Sequence, residues 1–132
     1  MAHRPPAISW DTDGVNNGPS SMTILLTWLG TNNNYVRWRS AASKCALCHE
    51  ILAEMRLQGI HHRNIHSIRL RMTLLEGSYN QAYEWECTTG GFMTAISVDG
   101  YTRVSVREHL LRMCKYWDEL GPIMRPEEGE DY

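Results

Sequence analysis

The sequence predicts an all-α domain, and three observations carry that expectation. Apolar residues recur at the three- and four-residue spacing of a helix face in four separate stretches. These stretches are fenced by breaker clusters: Asn16-Asn17-Gly18-Pro19, Gly30 with Asn32-Asn33-Asn34, Gly59, and Gly121-Pro122. The chain has 132 residues and is 42% hydrophobic, which is the size and apolar content of one ordinary folded domain.

Residues 1–19 read as an irregular segment in which one large side chain, Trp10, stands out. The first helix should start after Pro19, with Ser20 or Ser21 accepting from a free N–H of its first turn. Met22, Leu25, Leu26 and Leu29 form its apolar stripe, with Trp28 beside them. Gly30 and the asparagine run stop it, because Gly and Asn tolerate the left-handed conformation. The aromatic-basic link Tyr35-Val36-Arg37-Trp38-Arg39 is either one helical turn or extended.

The second helix should begin at Ser43 and end near Gly59, with Cys45, Cys48, Ile51, Leu52 and Met55 as its stripe. Asn64 is a natural N-cap for a long third helix striped by Ile65, Ile68, Met72, Leu75 and Tyr79, continuing through Ala82 towards Trp85. That helix crosses Gly77-Ser78, where the glycine costs about 1 kcal/mol relative to alanine. Thr88 to Thr102 is a glycine-containing connector with room for one short strand at Phe92–Val98. Ser105-Val106-Arg107-Glu108 is a capping box opening a last helix. Leu110, Met113, Cys114, Trp117 and Leu120 face inward there, and Gly121-Pro122 should end it. Residues 20–124 thus form one helical domain, and 125–132 an acidic disordered tail.

The net charge of −2 excludes a polycation that coats nucleic acid by charge alone. No apolar run approaches the roughly 18–20 residues of a membrane span. Met1 to Trp10 contains Pro5 and Pro6 and lacks the apolar stretch of a secretory signal, so an intracellular protein without a membrane partner is expected. The charge is nevertheless uneven. From Arg37 to Arg71 seven basic residues face only Glu50 and Glu54, giving +5, and the remainder of the chain carries −7. His49, His61, His62 and His66 add to the basic segment in mild acid.

Cys45 and Cys48 have zinc-ligand spacing, but Cys87 and Cys114 stand 27 residues apart with no second ligand pair. The thiols are therefore expected to pack as small hydrophobes, with no metal and no cofactor. Catalysis needs a nucleophile, a base and an orienting group that converge. Cys45, Cys48, His49 and Glu50 point around a helix in different directions. Asp11, Asp13 and Gly14 fit the start of a calcium loop, but its twelfth position is Met22. No enzyme and no small-molecule substrate are expected.

Several pieces in order carry a family resemblance. They are Trp10-Asp11, Ser21-Met22 to Trp28-Leu29, Asn34 to Arg39, Gly59-Ile60 and Arg63-Asn64. Leu75-Glu76, Tyr79, Ala82, Trp85 and Thr89-Gly90 follow, with Cys114-Lys115-Tyr116-Trp117-Asp118-Glu119-Leu120 closing the set. From Trp10 to Met124 the chain resembles the Myb/SANT-like tri-helical domains, especially the trihelix variety. It looks most like those of uncharacterised and transposon-associated fungal and oomycete proteins. It differs from them at Ser40-Ala41-Ala42-Ser43-Lys44, where they carry a glycine- and lysine-rich segment.

The resemblance implies a three-helix, helix-turn-helix type bundle with an additional C-terminal helix. It implies a nuclear protein that binds double-stranded DNA as a transcription regulator or a transposon derivative. The third helix would enter the major groove, which is wide enough for one helix. Its candidate contacts are Arg63, His66, Ser67, Arg69, Leu70, Arg71 and Thr73, with Arg37 and Arg39 as phosphate candidates. Leu70 and Leu74 do not fit the core stripe. They would touch a thymine methyl, pack on the last helix, or form a protein interface. The competing reading is a protein-interaction module, a SANT-like adaptor or a self-associating subunit, with a second copy or another protein as partner and no DNA binding.

Overall fold

Pro19 ends the irregular N-terminal run, and Ser20 caps the first helix by accepting from the Thr23 amide. A computed structural model of the chain describes residues 8–88, 95–97 and 103–126. Among these are six helices and one short strand pair: α1 (Ser21–Leu29), α2 (Asn34–Ser40), α3 (Cys45–Leu57), α4 (Ile65–Thr88), β1 (Ala95–Ser97), β2 (Arg103–Ser105), α5 (Val106–Met113) and α6 (Trp117–Met124). The architecture is all-helical apart from the three-residue antiparallel pair, in which Ile96 lies opposite Val104. The expected strand at Phe92–Val98 is observed at Ala95–Ser97, and the acidic tail lies outside the described residues beyond Pro126.

The chain divides into two compact units, residues 1–69 and 70–132, with the boundary inside α4. In the first unit α1 packs on α2 and α3. Its core holds Trp10, Met22, Leu25, Trp28, Trp38, Cys48, Ile51, Met55, Ile60 and Ile68, all buried. In the second unit Met72, Leu75, Tyr79, Ala82, Leu110, Cys114, Trp117 and Leu120 are buried. There Tyr79 stacks on Trp117 with ring centres 5.0 Å apart. Arg125 lies over Tyr83 and Trp117 and bonds Glu86 at 2.7 Å.

Four local expectations are corrected. After Gly30 the left-handed residues are Asn32 and Asn33, while Gly30 itself keeps a negative φ. Along α3 the buried stripe takes Leu47 and leaves Cys45, the first residue of the helix, exposed. The last helix is two helices, broken at Cys114, whose backbone is extended at φ −140°, ψ 103°. Finally, Gly121 and Pro122 lie inside α6, which ends two residues later at Met124. Pro122 removes one donor from a helix that is already closing, so the loss is small.

Gly59 turns the chain from α3 towards α4. It adopts φ +85°, and a Cβ there would meet the Val15 side chain at 3.2 Å. Both conditions favour glycine.

Candidate nucleic-acid interface

Two devices fix the start of α4. The first is a reciprocal cap: Asn64 Oδ1 accepts from the Ser67 amide at 2.8 Å, and the Asn64 amide donates to Ser67 Oγ at 3.0 Å. Each side chain satisfies one otherwise unpaired donor of the helix end. The Ser67 hydroxyl also donates to the Asn64 carbonyl at 2.8 Å, so its hydrogen bonds are used within the cap.

The second device is a buried polar latch one residue upstream. The Asp13 side chain is 2% exposed and accepts from the Ser21 amide at 2.7 Å and the Ser21 hydroxyl at 2.5 Å. The amide bond is to Oδ1, and Arg63 Nη2 and His62 Nε2 each lie 2.8 Å from Oδ2, the oxygen that also takes the Ser21 hydroxyl. Arg63 also donates to Ser21 Oγ and to the carbonyls of Ile8 and Ser9, and stacks 4.4 Å from the Trp10 ring centre. Burial alone would push the Asp13 carboxyl up. The bonds from Ser21, Arg63 and His62 outweigh that and hold it at about 2. The latch ties residues 8–13 to the start of α1 and to the α3–α4 connector.

The sequence-expected contacts are therefore placed differently from one another. The Arg63 guanidinium is 9% exposed and serves the latch. Arg37 holds Glu50 in a two-point ion pair with distances of 3.0 and 2.6 Å and bonds Asn34 at 2.7 Å. That pairing lowers the Glu50 carboxyl below its ordinary range. Arg39 lies 5.4 Å over the Tyr35 ring. Along α4, His66, Arg69, Leu70 and Thr73 are exposed, and Ser67 and Arg71 are half-buried. His66, Arg69, Leu70, Thr73, Leu74 and Gly77 follow the i, i+3, i+4, i+7 rhythm and form one continuous outer stripe of the helix. Leu70 and Leu74 are 53% and 52% exposed, so they do not pack on the last helices.

Asp13 and Ser21 were not among the residues the sequence singles out for this site. The one hint was the short acidic pair Asp11-x-Asp13 ahead of a helix start, and nothing local connects it to Arg63 fifty residues on. Among the described residues, no group of three His, Cys, Asp or Glu side chains is placed to hold a metal ion, and no helix is long and apolar enough to cross a membrane. No family model, no curated protein and no solved structure matches the chain.

Proposed function

We propose that the chain binds double-stranded DNA through the N-terminal half of α4. The observation that carries this reading is the charge order along the helix. From Leu57 to Leu75 there is no acidic residue, and the first half of α4 holds Arg69 and Arg71. The first acid, Glu76, closes that half, and the second half holds Glu84 and Glu86 and no basic residue. The first turn carries no acid and the last turn no base.

This order runs against the helix macrodipole, which favours acids at the N-terminus and bases at the C-terminus by about 0.3–1 kcal/mol each. The arrangement does not serve helix stability. It does concentrate positive charge where the helix end is already positive, which suits a phosphate-bearing partner. On the same stripe, His66, Arg69 and Thr73 offer donors and acceptors, and Leu70 a methyl-sized apolar contact, for base edges.

The test is fluorescence anisotropy against a random duplex pool. With about four phosphate contacts, affinity should fall roughly 100-fold between about 50 and 200 mM salt. Absence of binding at the lower salt would defeat the reading. A second reading, contact with protein, is favoured by one observation: Leu70 and Leu74 are half-exposed one turn apart on the same stripe.

A further inference from the structure

Cys45 and Cys48 stand at different depths of one helical turn. Cys45 is the first residue of α3 and is exposed, while Cys48, three residues on, is fully buried. At the rise and radius of an α-helix their Cα atoms are about 5 Å apart, inside the ~4.4–6.8 Å that a disulfide spans. Their Cβ atoms, at about 5–6 Å, need to close to about 4 Å. The turn that must give is uncapped. Lys44 makes no side-chain cap, and the first turn holds no acid. The Lys44 ammonium donates instead to the Trp38 and Ala41 carbonyls.

The two thiols differ in what they can meet. A reagent in solvent reaches Cys45 and not Cys48. Among the described residues the Cys48 sulfur makes no hydrogen bond, whereas the other buried thiol, Cys114, accepts from Ser78 Oγ at 3.6 Å. Burial holds the Cys48 thiol above its ordinary range, against the opposing charges of Arg69 and Lys44. Cys45 is therefore the thiol that meets an oxidant first. A helix N-terminus favours negative charge, and thiol–disulfide exchange runs through sulfur anions.

From this placement we propose that Cys45 and Cys48 form a redox-active dithiol, which a small-molecule disulfide converts to an intrachain disulfide. The Cys45 thiolate attacks one sulfur of the small disulfide, whose S–S bond breaks as one thiolate leaves. Cys45 then carries the other half. Cys48 gives up its proton, and its sulfur attacks Cys45 Sγ. The Cys45–Cys48 bond forms as the mixed disulfide breaks and the second thiolate leaves. The pair loses two electrons and two protons, and the small disulfide takes them up as two thiols. This goes beyond duplex binding and does not depend on it.

The test is mass mapping of the dilute full chain held in glutathione disulfide, quenched in acid and cut with trypsin. Cleavage after Lys44 and Arg56 yields one peptide, Cys45 to Arg56, that holds both cysteines and neither of the others. Cys87 is exposed, has no cysteine three or four residues away, and serves as the comparison. The 45–56 peptide should lose two hydrogens and carry little glutathione, while Cys87 accumulates the adduct. In Cys48→Ala the adduct on Cys45 should rise roughly tenfold over wild type, because nothing displaces it. Cys45→Ser, at an exposed position, should keep the wild-type thermal midpoint and leave Cys48 reduced.

A 45–56 peptide that stays reduced while Cys87 is modified overturns Cys45 as the attacking thiol. A Cys45 adduct as abundant in the wild type as in Cys48→Ala overturns Cys48 as its partner. Loss of the two hydrogens only in denaturant overturns the folded helix as the host of the pair.

Discussion

Asp13→Asn removes the charge at the centre of the latch while keeping the side-chain shape. Its effect can be worked from the structure. A carboxyl held at about 2 in the folded chain, against an ordinary 3.8, contributes about 2 kcal/mol of stability at neutral pH. Removing one partner of a buried pair typically costs 3–5 kcal/mol, because the other charge stays buried. Arg63 would keep its bonds to the Ile8 and Ser9 carbonyls and its place over Trp10, which softens the loss. The expected cost is therefore about 2–3 kcal/mol, read by urea denaturation at pH 7.

The sign with pH is fixed by the direction of the shift. The depressed carboxyl supplies its stability in full above about pH 4 and loses it as the pH falls towards 2. The gap between wild type and Asp13→Asn should thus be widest above pH 5 and narrow steadily below pH 4. A gap under about 0.5 kcal/mol at pH 7, or one that does not narrow in acid, would refute the assignment of Asp13 as the charged centre of the latch.

Two further outcomes follow from the same structure. Cys48 and Cys114 are buried, and burial raises both thiols above their ordinary range. Cys45 and Cys87 are exposed. A thiol reagent in native buffer should modify two cysteines quickly and two only on unfolding, with mass mapping placing the fast pair at Cys45 and Cys87. Asn64→Ala breaks the reciprocal cap of α4 and should cost about 1 kcal/mol. Hydrogen exchange should then speed up at the first amides of α4 and leave α1 and α3 unchanged.

Where local rules act, the fold was legible. Ser20, Asn64 and Ser105 each cap the helix that the sequence assigns to them, because a cap needs only residues three positions apart. The buried stripe of α4 runs through Ile68, Met72, Leu75, Tyr79 and Ala82 as the spacing requires. The break at Cys114 was hidden for the same reason. Leu110, Met113, Cys114, Trp117 and Leu120 keep helical spacing across it, so periodicity alone joins α5 to α6.

The site was legible only as a stretch of chain. The exposed positions His66, Arg69, Leu70 and Thr73 follow from the helix period once the buried stripe is known. The partners of the basic residues do not, since they arise from contacts between distant segments. Arg37 meets Glu50 across two helices, and Arg63 meets Asp13 across fifty residues. Charge counting over Arg37 to Arg71 treats all seven basic groups alike, whereas the fold engages Arg37, Lys44 and Arg63 internally. Arg69 stands on the exposed face of α4, and Arg71 is half-buried on the same helix.

The most direct test of that surface is the salt dependence of duplex binding, measured side by side for the wild type and Arg69→Ala/Arg71→Ala. If α4 meets the phosphates, the double variant should bind more weakly at low salt, and its log–log slope should be shallower by about 2, near 0.9 for each contact removed. An unchanged slope and unchanged affinity would mean that α4 does not touch DNA, and the account of this helix as a nucleic-acid reader would fall.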